Sequence, residues 1–101
     1  MVRAFTVILS PDPVVGGFTA VCPAMPGAIS EGETRDAALT SLAGVMAAWI
    51  DASAETGRHP LDEDRQLITA AIASVLDDRE AEGWDRSIET TSLSPEQPVP
   101  A

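Results

Sequence analysis

The sequence contains no lysine and no tyrosine, and it has a single cysteine, a single histidine and four large aromatic residues: Phe5, Phe18, Trp49 and Trp84. With only Cys22 available, an internal disulfide and a cysteine-based zinc cluster are both excluded. No two arginines are adjacent, and all six cations are arginines. Nucleic-acid binding draws on clustered cations that displace counterions. Here sixteen carboxylates outweigh six arginines, for a formal net charge of −10, so a phosphate backbone would repel the chain. DNA binding by this chain alone is therefore not expected. No uninterrupted apolar run approaches the roughly 18–20 residues of a membrane span. Met1 leads into strand-like residues, without the basic region and apolar segment of a signal peptide. These absences lead to the expectation of a cytoplasmic protein with no membrane partner.

What is present is a chain of 101 residues with 45% hydrophobic content, enough for one domain with a small core. That content also excludes a disordered chain over most of the length. The acid is unevenly spread. Residues 1–50 carry two arginines and four acids, and residues 51–101 carry four arginines and twelve acids. Such a balance attracts basic partners, although excess acid also serves solubility alone.

Residues 2–10 suit a β-strand, which Ser10-Pro-Asp-Pro13 stops because proline removes ladder donors and fixes φ. Gly16-Gly17 closes a hairpin connection to a second strand over 18–22. Pro23-Ala-Met-Pro-Gly27 makes a rigid bend, and residues 28–32 form a third strand with one buried face. Three consecutive short strands assemble as an antiparallel meander. Thr34 then reads as a helix N-cap accepting from Asp36 or Ala37, with Glu33 and Asp36 at the positive end of the dipole. Ala38, Leu39, Leu42, Val45, Met46, Trp49 and Ile50 give that helix, about 34–55, a broad apolar face, and Thr56-Gly57 stops it. Pro60 marks a break, and Asp62 is the expected N-cap of a second helix running to about Glu82. Its stripe is Ile68, Ala71, Ile72, Val75 and Leu76, and Gly83 ends it. Trp84, Arg86, Ile88 and Thr90 alternate as a fourth strand would, and Pro95, Pro98 and Pro100 leave 94–101 as an extended tail. The organisation is thus a β-β-β-α unit over 1–57, a helix and fourth strand of the same domain over 58–93, and the tail.

No arrangement for chemistry emerges. His59 precedes a proline in a loop, with nothing to place a nucleophile beside it. Cys22 has no flanking base to lower its pKa and reads as a buried thiol. Asp62-Glu63-Asp64 and Asp77-Asp78-Arg79-Glu80 are acid clusters, but consecutive helical residues point to different faces, so neither offers a metal site. Gly16-Gly17 precedes a strand and cannot cradle phosphate at a helix N-terminus. No catalytic, metal-binding or cofactor-binding residue is expected, and no enzymatic activity. The first helix supplies a covered sheet face, so the second needs another apolar surface: beside the first, on the sheet, or on another chain.

Phe5-Thr-Val-Ile-Leu-Ser-Pro-Asp12, Gly16-Gly-Phe-Thr-Ala-Val-Cys-Pro-Ala-Met-Pro-Gly27 and Ser30-Glu-Gly-Glu-Thr-Arg-Asp-Ala-Ala-Leu39 together resemble the HicB antitoxin family over about residues 2–57. The family pattern is a strand, an acidic-glycine turn, a strand ending Val-x-x-Pro-x-Leu-Pro-Gly, a small strand, then Gly-(Asp/Glu)-Thr before a helix. Met25 stands where leucine is usual, Ala24 where an acid is common, and Ala28 where a larger residue is frequent. The resemblance implies an α+β fold of the incomplete RNase H-like kind, without nuclease residues. That is a small antiparallel sheet of three to four strands packed with one long helix, plus a second C-terminal helix. It also implies a partner, a HicA-like small basic toxin that cuts mRNA with a histidine. Many family members carry a DNA-binding module at the C-terminus, and this sequence departs there, because residues 58–101 are acidic and lack a basic recognition helix. The function expected is that of an antitoxin which binds and occludes the toxin. Asp62, Glu63, Asp64, Asp77, Asp78, Glu80 and Glu82 are the candidate contacts, and a homo-oligomer is expected. The alternative is a self-associating interaction module of the same fold with no toxin partner.

Overall fold

A computed structural model describes residues 3–95. The elements run β1 (Phe5–Pro11), β2 (Phe18–Val21), β3 (Ile29–Gly32), α1 (Arg35–Ala54), α2 (Arg65–Ala81) and β4 (Glu89–Leu93). All neighbouring strands are antiparallel in the order β3-β2-β1-β4, so the predicted meander forms and β4 adds to its β1 side. The architecture is α+β, a four-stranded antiparallel sheet with two helices. The expected tail falls mostly on 96–101, and the expected start of β1 on Val2, both outside the described residues.

Register decides which residues share a face. Leu9 lies opposite Ala20, and Ala20 opposite Ser30, on the face that α1 covers. Ala38, Leu39, Leu42, Ala43 and Met46 of α1 bury against Phe5, Val7, Leu9, Ala20 and Cys22 to form the core. Two polar contacts tie α1 to the same face. Ser41 shares a hydrogen bond with Ser30, and Arg35 pairs with Glu89 at the start of β4. Thr34 caps the helix as the sequence predicts, its hydroxyl accepting from the amide of Ala37 at 3.0 Å. By length and composition α1 could cross a bilayer: it has 20 residues with a window of hydropathy 1.3. The expectation of no span-length segment rested on uninterrupted runs, and Thr40, Ser41 and Asp51 interrupt this one. In the fold α1 is the core helix.

The glycine of Gly32-Glu33-Thr34 has a physical reason. A Cβ at Gly32 would lie 2.3 Å from the amide nitrogen of Ala38 and 2.6 Å from the carbonyl carbon of Ala37. Real Cβ atoms do not approach backbone that closely, so β3 can meet the first turn of α1 only through glycine.

The bend at 23–27 also serves the core. Ala24 and Met25 are fully buried within it. The indole Nε1 of Trp49 donates to the carbonyl of Pro26 at 3.1 Å, fixing the second half of α1 to the bend. The linker also docks on the bend, where the amide of Leu61 donates to the carbonyl of Ala24 at 2.7 Å.

Two expectations are corrected here. The N-cap of α2 is Asp64, not Asp62: the Asp64 carboxylate accepts from the amide of Leu67 at 2.8 Å, and the helix starts at Arg65. Glu63 is spent elsewhere, because its carboxylate takes the amide of Thr6, which the departure of β2 after Val21 leaves without a ladder partner. The fourth strand begins at Glu89 rather than Trp84. The amide of Trp84 donates to the carbonyl of Arg79 at 2.8 Å, and Arg79 Nε donates to the carbonyl of Asp85 at 2.6 Å. These bonds wrap 84–85 onto the end of α2 before the chain can extend.

Candidate functional site

Ile8 lies opposite Val21, and Val21 opposite Ile29, which makes an apolar row across the sheet face away from α1. The unbroken run Val7-Ile8-Leu9 is buried because β1 is covered on both sides. The second cover is α2, which packs across β1. Ile68, Ala71, Ile72, Val75 and Leu76, the predicted stripe, are all half-buried. Of the three surfaces open to α2, it takes the sheet.

Arg79 fastens it there. This side chain is 3% exposed. Its Nη1 donates to Ser10 Oγ at 2.8 Å and to the carbonyl of Pro11 at 2.5 Å. Its Nη2 meets Asp85 Oδ1 at 2.9 Å, and the guanidinium lies 5.4 Å from the ring centroid of Trp84. The Asp85 carboxyl is held below its ordinary value, first by the Ser87 amide and hydroxyl and then by Arg79. The end of β1, the end of α2 and the loop at 84–87 are thereby one unit. Sequence reasoning missed Arg79, reading it only as part of an acid cluster.

The cover stops short of β2 and β3. A groove of about 350 Å³ lies between α2 and the open half of the sheet. Its floor is Ile8, Thr19, Val21 and Ile29, and Val75 and Trp84 form its helix wall. Ile29 is 56% exposed. Asp78 and Glu82 stand at its rim, and the charge of Arg79 beside them is already paired. Sequence reasoning missed Val21 and Ile29 here, though one signal pointed to them. Residues 7–9 are apolar without alternation, which is the pattern of a strand covered twice.

The other candidate residues are dispersed. Asp77 and Glu80 are exposed on α2 but do not line the groove, Asp62 is exposed in the linker, and Asp64 is the cap of α2. Asp77, Asp78, Glu80 and Glu82 thus crowd the C-terminal end of α2, where the helix dipole disfavours negative charge, while its first turn holds no acid.

Cys22 is buried, and burial pushes its thiol up to about 11, so it is protonated at neutral pH. His59 is exposed in the linker. Among the described residues no three His, Cys, Asp or Glu side chains gather as a metal site. The second concave surface lies at the β1–β2 hairpin, between Asp12, Glu31 and Glu33. Asp12 Oδ1 accepts from the amides of Val14 and Val15, which holds both valines outward at 75% and 82% exposure. No protein-family model matches the chain, and no curated protein is significantly similar to it.

Proposed function

We propose that the chain is a protein-binding inhibitor of the HicB antitoxin kind, with an incomplete RNase H-like domain, that occludes a small basic mRNA-cleaving toxin and catalyses nothing itself. The observation that carries this reading is the acid at the C-terminal end of α2. Four carboxylates at the negative end of a helix dipole oppose local stability, and Arg79, the basic residue of the last turn, is already paired with Asp85. Acid kept where the helix disfavours it has its use outside the helix. A basic nuclease offers the complementary surface, because a protein that holds RNA needs clustered cations. The inhibitor would occupy that cationic surface in place of RNA.

Co-expression with the product of any adjacent gene that encodes a small basic protein tests the reading. The expected result is relief of growth inhibition and a complex that co-purifies at low salt and loosens as salt rises. Absence of a complex together with unrelieved growth inhibition rejects it.

A second reading, self-association, has one observation in its favour. The sheet has two open edges, β3 and β4, among the described residues. Light scattering decides it, since a strict monomer at micromolar concentration removes it.

A further inference from the structure

The groove beside α2 has the dimensions of a missing element. The sheet has four strands, and on this face α2 packs chiefly on β1. The β4 residues on this face, Thr90 and Ser92, are polar and exposed, as an open surface should be. The β2 and β3 side is different, since Val21 and Ile29 continue the apolar row of Ile8 out to the sheet edge. Two strands side by side span about 10 Å, and a packed helix is about 10–12 Å across. Neighbouring helices lie about 8–10 Å apart, so one helix beside α2 would rest over β2 and β3.

Charge selects the occupant. Asp78 and Glu82 rim the groove on the helix side, and Glu31 stands on the same sheet face as Ile29 at the strand edge. A second copy of this chain, at net charge −10 and without lysine, would bring acid against acid. A helix with apolar residues at three- and four-residue spacing and arginine or lysine on its flanks would match both floor and rim.

We propose that this groove takes one basic amphipathic helix from another polypeptide, about two to three turns long because β2 and β3 have four residues each. The apolar stripe of that helix covers Val21 and Ile29 and leans on Val75 and Trp84, and its cations face Asp78, Glu82 and Glu31. This inference rests on the inhibitor reading and gives its partner a specific shape: the toxin would present a cationic helix, not only a charged surface.

The test uses the full chain and a synthetic, end-blocked 14-residue peptide of leucine, alanine and arginine with helical apolar spacing. A scrambled peptide of identical composition serves as the control. The expected result is saturable binding of the patterned peptide, with amide NMR shifts concentrated at Thr19, Val21, Ile29 and Val75. The scrambled peptide should bind about tenfold more weakly. Ile29→Lys places a cation on the floor at an exposed position, so the variant folds, as circular dichroism would verify. It should bind the patterned peptide about tenfold more weakly, as should Asp78→Arg combined with Glu82→Arg. Equal binding of the two peptides, or unchanged binding by Ile29→Lys, overturns the proposal. Growth rescue by the same variants separates the two readings. If wild type and Ile29→Lys rescue equally, the inhibitor stands and the groove falls. If wild type fails to rescue but the peptide pattern holds, the groove stands and the antitoxin falls.

Discussion

Among the described residues Arg79 is the buried charged side chain, and its contacts span sixty-nine positions of sequence to Ser10. Replacing it by methionine keeps the apolar stem but leaves Ser10 Oγ, the Pro11 carbonyl and the Asp85 carbonyl without their donor. Hydrogen bonds to charged groups contribute about 1.5–3 kcal/mol each and do not add simply, so Arg79→Met should cost about 3 kcal/mol. The urea unfolding midpoint would show it, and a shift equal to that of an exposed-arginine control such as Arg86→Met would contradict the fastening role. Glycines give a second, paired prediction. Gly32→Ala must push backbone apart at the β3–α1 contact and should lower stability by about 3 kcal/mol. Gly44→Ala meets nothing within 4 Å on the exposed side of α1 and should raise stability by about 0.5–1 kcal/mol. Thermal unfolding of the two variants should therefore move in opposite directions. The Gly32 position was legible in the sequence as part of a motif, but its reason was not. The reason is a distance to Ala38, and composition carries no distances.

The helices divide by what holds them. α1 is held by its buried stripe and by Thr34, and α2 by half-buried contacts, Arg79 and Asp64. Asp64→Ala should cost about 1 kcal/mol as a lost cap, and Asp62→Ala should stay within about 0.5 kcal/mol. Chemical denaturation of both variants checks which residue is the cap. Asp62 and Asp64 both satisfy the cap preference, and only the path of the linker through Leu61 and Glu63 selects between them. The crowded acid at the other end of α2 gives an opposite sign. Asp77→Asn with Glu80→Gln should raise stability by about 0.3–1 kcal/mol, since negative charge leaves the unfavourable end of the dipole. In the proposed inhibitor complex, the same double variant should release its basic partner at lower salt than wild type. Stability gained without weaker inhibition would remove the argument on which the functional proposal rests.

At the scale of the molecule, the two faces of the sheet are tied shut by ion pairs of different exposure. Arg35 joins α1 to β4 through Glu89, and the pair holds the Glu89 carboxyl below its ordinary value of 4.5. Asp85, held by the Ser87 amide and by Arg79, also lies below its ordinary value of 3.8. A carboxyl lowered by folding contributes stability that is fully present above its unfolded value and is lost as pH falls through the folded one. The thermal midpoint should therefore fall as pH drops below about 4.5, and Glu89→Gln should show a smaller fall over that window. An equal fall in wild type and variant would show that this exposed pair contributes nothing measurable.

The amino acids by themselves determined the elements and their order. Prolines and paired glycines punctuate the strands, Thr34 announces α1, and apolar spacing draws both helices, because each of these signals acts within a few residues. Tertiary structure decided where α2 lies, which acid caps it, where β4 starts and what Glu63 and Arg79 do. It also decided that Val21 is left only half-buried and Ile29 exposed, beside acid. Those outcomes depend on groups far apart in the chain meeting across a sheet, and local patterns of hydrophobicity and charge hold no record of that meeting.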